Sequence, residues 1–83
     1  MEIPKQLVLD VTAEDIREGV PGDCDRCPLA RAARRQFPGF HIGTDFCGLA
    51  GRWWRNAPDT QSFIQRFDRG FVVKPGLYVM TED

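Results

Sequence analysis

No stretch of this 83-residue chain is apolar for long enough to cross a membrane. Its first residues, Met1-Glu2-Ile3-Pro4-Lys5, lack the charged-then-apolar layout of a secretory leader. The expected compartment is the cytosol, where three cysteines are thiols, ligands or redox groups rather than a disulfide framework. Lysine is scarce, two residues against nine arginines, and the formal net charge of -1 excludes a general nucleic-acid coat. His41 is the single histidine. There is no Gly-x-Ser-x-Gly elbow, no phosphate-cradling glycine loop, and no paired-carboxylate spacing among Asp10, Asp15 and Asp45. A nucleobase deaminase needs His-x-Glu ahead of Pro-Cys-x-x-Cys, whereas here the histidine follows the cysteine pair. His41 as a base for Cys47 or Ser62 is the only hydrolytic arrangement left, and a lone histidine is more often structural. The expectation is a non-enzyme with no cofactor.

What is present describes one small domain, residues 1–83, with no repeat, linker or low-complexity tract. A chain this short buries little more than half of its unfolded surface, so a staple by metal or partner is worth weighing. Charge is unevenly spread. Six arginines (Arg26, Arg31, Arg34, Arg35, Arg52, Arg55) face one acid, Asp45, across the middle, while Glu14, Asp15, Glu18, Glu82 and Asp83 make the flanks acidic.

Lys5 to Val11 alternates as a strand, with Leu7, Leu9 and Val11 on one side. Thr12 reads as the N-cap of a short helix, Ala13 to Glu18, closed by Gly19. Pro28 suits the first position of a second helix, in which Leu29, Ala32, Ala33 and Phe37 face one way and Arg31, Arg34 and Arg35 the other. Phe40 to Ala50 alternates as one strand, with Ile42, Thr44 and Phe46 on one face and His41, Gly43, Asp45 and Cys47 on the other. A tight connection, Gly48 to Gly51, leads into the strand Arg52-Trp53-Trp54-Arg55. Asp59 is the expected cap of a third helix through Arg69, with Phe63, Ile64 and Phe67 buried. Phe71 to Lys74 and Leu77 to Met80 are strand-like, broken at Pro75-Gly76. The order β-α-α-β-β-α-β predicts an α+β domain, two to three helices on a small, mainly antiparallel sheet.

The pattern V-T-x-E-D-I-x-x-G-V-x-G-D-C-x-x-C-P-x-A-x-A spans Val11 to Ala32; F-I-x-x-F-D-x-G follows at Phe63 to Gly70 and V-x-P at Val73 to Pro75. Together they resemble a family of small uncharacterised proteins of actinobacterial bacteriophages and prophages. The resemblance covers the two ends of the chain and little of Phe40 to Ala57. It implies a phage protein in host cytoplasm, and it brings no activity or catalytic residue with it.

Cys24, Cys27, His41 and Cys47 could supply four zinc ligands. His41 and Cys47 are six residues apart, however, about 20 Å on a straight strand and too far for one ion. The competing reading makes Cys27 a cap of the Pro28 helix, Cys47 an apolar filler and Cys24 a loop thiol; no metal is assigned. A redox role is opposed by Asp23 and Asp25, which flank Cys24 and raise the cost of a thiolate.

In Arg52-Trp53-Trp54-Arg55 only one tryptophan can enter a one-sided core, which leaves the other near guanidinium groups. Tryptophan and arginine dominate binding hot spots and also stack on bases. The expected partner-binding residues are Arg52, Trp53, Trp54 and Arg55, supported by Arg31, Arg34 and Arg35 if that helix face lies alongside. The expected function is non-enzymatic binding of a host or phage protein, in host takeover or counter-defence. A small nucleic-acid binder and a zinc-stapled module are the alternatives. No membrane partner is expected, and the sequence leaves the oligomeric state open.

Overall fold

The computed structural model describes residues 3–82. Met1, Glu2 and Asp83, which enter the leader and acidic-flank readings, lie outside the described residues. The elements are β1 (Gln6–Val11), α1 (Ala13–Glu18), α2 (Pro28–Gln36), β2 (His41–Ile42), β3 (Phe46–Leu49), β4 (Arg52–Asn56), α3 (Pro58–Asp68) and β5 (Gly76–Glu82). The fold is α+β, and the strand and helix order follows the one read from the sequence, with a hairpin in place of the strand expected at Phe40 to Ala50. The five strands form one sheet in the order β1-β5-β4-β3-β2, antiparallel at every pairing. None of the described helices is long and apolar enough to cross a membrane.

Local chemistry sets the first two helices. Thr12 and Asp15 form a reciprocal capping box, and Cys27 Sγ accepts from the Ala30 amide at 3.4 Å ahead of Pro28. The third helix departs from expectation. Its N-cap is Ala57 with Pro58 at N1, no side chain caps it, and Asp59 lies inside the first turn. Thr60 and Gln61 anchor that end instead, donating to the carbonyls of Val79 and Asn56.

The hairpin has a physical cause. Gly43 donates to the Phe46 carbonyl at 2.8 Å across a two-residue loop, where a Cβ on Gly43 would sit 2.9 Å from that same oxygen. Buried Asn56 holds the loop, donating through Nδ2 to the carbonyls of Gly43 and Thr44. Residues 71–74 are irregular rather than a strand. The ladder to β1 ends where Val11 pairs with Gly76, and Pro75 offers no amide to extend it.

One face of the sheet is the core. Leu7, Leu9, Val11, Met80, Trp54, Cys47 and Ile42 are buried there against Leu29, Ala32 and Ala33 of α2 and Phe63 and Ile64 of α3. Trp54 is fully buried, its ring 5.3 Å from that of Phe40, and its Nε1 donates to the Pro4 carbonyl at 3.0 Å.

Candidate functional site

With the helices gathered on one face, the other face of the sheet is open among the described residues. Alternation sends Gln6, Val8 and Asp10 of β1, Leu77, Val79 and Thr81 of β5, Trp53 and Arg55 of β4, Phe46 of β3 and His41 of β2 to it. Gln6, Thr81, Arg55 and Phe46 make one row across the strands, and Trp53, Gly48 and His41 make the next. Trp53 is 60% exposed and Leu77 69%, with Val8 and Phe46 exposed as well. The Trp53 ring lies on Gly48, where a Cβ would come within 2.9 Å of it, so the glycine lets the indole lie down on the backbone. The Arg55 guanidinium stands 5.0 Å from the Phe46 ring.

The expected binding set divides between the two faces. Trp53 and Arg55 are on the open face, one tryptophan out and one in, as alternation requires. Trp54 belongs to the core and offers a partner nothing. Arg52 shares its side: its guanidinium makes a bidentate pair with Glu82 at 2.7 and 2.8 Å, donates to the Ile3 carbonyl and lies 4.8 Å above the Trp54 ring. That hydrogen-bonded pair holds the Glu82 carboxyl below the usual range.

Arg31, Arg34 and Arg35 do not lie beside Trp53, because α2 packs on the opposite face. Their charges meet acids of this chain. Arg35 grips Asp15 through both carboxylate oxygens at 2.5 and 2.8 Å and also donates to the Asp10 carbonyl. Arg31 Nε is 3.4 Å from Asp15. Arg34 reaches Asp25 at 3.5 Å and the Phe40 carbonyl. Burial pushes the Asp15 carboxyl up, but the Arg35 and Thr12 hydrogen bonds outweigh it and hold the group below the usual aspartate range.

The four potential zinc ligands are not brought together. Cys27 is buried under its own helix, and burial raises its thiol to about 11. Cys47 is buried on the core face, 3.2 Å from Met80 Sδ, its thiol pushed up to about 12. Neither is a thiolate at neutral pH, which also removes the redox pair. His41 and Cys47 stand on opposite faces of the sheet, so that nucleophile–base pairing fails too.

Sequence reasoning missed a cluster at the free edge of β2. The Ile42 amide donates to the Cys24 carbonyl at 3.0 Å, which lays the loop 23–26 alongside that strand. Asp25 Oδ1 then lies 2.6 Å from His41 Nδ1, and Cys24 Sγ lies 3.9 Å from the same oxygen. Phe46 was missed as well. Assigning 40–50 to one strand placed it on a shared face with Ile42, and the turn-forming run Gly43-Thr44-Asp45 was the signal for a reversal. No protein-family model matches the chain, and no curated protein or solved structure does.

Proposed function

We propose that this chain is a non-enzymatic binding protein that holds a flat, apolar-centred protein surface against the open face of its sheet. The observation that carries the reading is Trp53. An indole 60% exposed, lying on glycine backbone at one end of an uncovered sheet face, is a rigid anchor of the kind that dominates protein interfaces. Phe46 and Arg55 stand in the neighbouring row, and Val8, Val79 and Leu77 continue the face beyond the polar pair Gln6 and Thr81. The actinophage resemblance makes host or phage machinery the pool from which the partner comes, in host takeover or counter-defence.

A nucleic acid fits this face less well. Aromatic stacking needs cations beside it to hold the phosphates. The open-face strand residues include one arginine and no lysine, and the α2 arginines are on the far side against Asp15 and Asp25.

The test compares the chain with Trp53→Ala and Arg31→Ala as baits in a lysate of the actinobacterial host, followed by affinity measurement on the purified captured protein. Trp53→Ala is expected to weaken that complex by about 2 kcal/mol, roughly thirtyfold, and Arg31→Ala to leave it within about threefold. Affinity is expected to change less than about tenfold between low and high salt. A partner indifferent to Trp53→Ala would sink the proposal. A steep log-log salt slope with a nucleic acid as the captured species would replace it with the nucleic-acid reading.

A further inference from the structure

We infer that Cys24, Asp25 and His41 form a three-ligand site for a divalent ion of the zinc class, with the fourth position left to water. The reading is independent of the protein-binding proposal. Sγ, a carboxylate oxygen and an imidazole nitrogen lie within 4.8 Å of one another at the edge of β2. Tetrahedral zinc, with bonds of roughly 2.0–2.3 Å, sets its ligand atoms about 3.3–3.8 Å apart. The Cys24 Sγ to Asp25 Oδ1 separation of 3.9 Å already approaches that spacing. The Asp25–His41 contact of 2.6 Å has to open by about 1 Å as the ion replaces the proton between them. A thiolate and a carboxylate balance the two charges of the ion, and thiolate with imidazole favours zinc over calcium or magnesium.

The donors stand on backbone that is tied down. Asp23 Oδ1 accepts from the amides of Asp25 and Arg26, the Asp23 carbonyl from those of Arg26 and Cys27, and Val20 donates to the Arg26 carbonyl. Gly22 donates to Asp68 Oδ1 at 2.9 Å, and Ile42 to the Cys24 carbonyl. Protein hydrogen bonds thus tie the loop at several points, and the ion is expected to occupy a site the fold provides rather than to hold the fold together. This separates the site from a Cys-x-x-Cys knuckle, in which Cys27 would have to leave its buried cap position. Arg34 works against the ion. Its guanidinium is 3.5 Å from Asp25 Oδ1, and a fixed positive charge that close lowers affinity for a divalent cation.

The experiment titrates zinc alone, and cobalt as its spectroscopic stand-in, into the reduced full chain, with circular dichroism confirming that each variant folds. One ion per chain is expected, with a thiolate-to-cobalt band that disappears in Cys24→Ser. Cys24→Ser and His41→Gln should each weaken zinc by at least about 100-fold. Cys27→Ser, which keeps a helix-capping oxygen, should leave affinity within about threefold. Arg34→Gln should tighten zinc by roughly tenfold, because the repelling charge is gone. Chelation should leave the fold in place. Zinc binding that is absent at millimolar concentration, survives Cys24→Ser, is lost with Cys27→Ser, or ignores Arg34→Gln overturns the site, as does a fold lost on chelation.

Discussion

Ala50 carries a φ of +54° beside Gly51 at +79°, the two-residue turn joining β3 to β4. Both positions need left-handed backbone for the twist of the flanking strands to continue, and only the second residue suits that conformation. Ala50→Asn, which tolerates it, should therefore stabilise the protein by about 1 kcal/mol, read as a higher urea midpoint with an unchanged slope. Two residues away, Trp53 and Trp54 make the opposite pair of cases. Trp54→Ala empties the centre of the core and should cost roughly 3–5 kcal/mol, a large part of what stabilises so small a domain. Trp53→Ala should cost less than about 1 kcal/mol in the same urea titration, since its ring is mostly in water. At this scale the sequence was informative wherever chemistry is local. The Cys27 cap, the buried Cys47 and the one-in, one-out tryptophans follow from the residue and its neighbours. The Cys24–Asp25–His41 cluster does not, because it depends on a loop and a strand that meet across 16 residues.

Between elements, the tie that matters most is Asp15. It caps α1 through Thr12 and fastens α1 to α2 through Arg35, and its carboxylate is buried while the guanidinium is half in water. Its carboxyl is depressed in the folded state, so the stability it contributes is present above the unfolded aspartate value of about 4 and is lost as pH falls through the lower folded value. Asp15→Asn should destabilise by about 2 kcal/mol at neutral pH, and the two proteins should converge in acid. Urea midpoints measured from pH 7 down to pH 2 check this; a gap that persists unchanged at pH 2 would assign the effect to packing. Helices α1 and α2 were legible because caps and prolines mark them within four residues. The reversal at Gly43 to Phe46 had only the short run Gly43-Thr44-Asp45 to announce it, and Asn56, thirteen residues on from Gly43, holds it. Residues 71–74 look like strand, and only the position of β1 shows that the ladder has ended before them.

Across the whole molecule, β5 is an interior strand although it comes after the other four in the chain. β5 lies between β1 and β4, with Leu7 opposite Met80 on one side and Trp54 opposite Glu82 on the other. A chain ending before Gly76 therefore loses two ladders at once. It should show no cooperative urea transition and no dispersed amide spectrum, and a folded truncation would contradict this topology. The α+β class and element order were readable because they rest on periodicity; which face stays uncovered was not, because that depends on where three helices settle. That uncovered face has a consequence for inheritance. Along β4 the residues that keep the protein folded and those that would meet a partner are adjacent letters of one message, yet they point to opposite sides. Substitutions at Trp53 and Leu77, whose side chains are mostly in water, should cost little stability and so can be explored without misfolded intermediates. A lineage carrying this domain could follow a changing target by altering only those positions, with the core left as a constant.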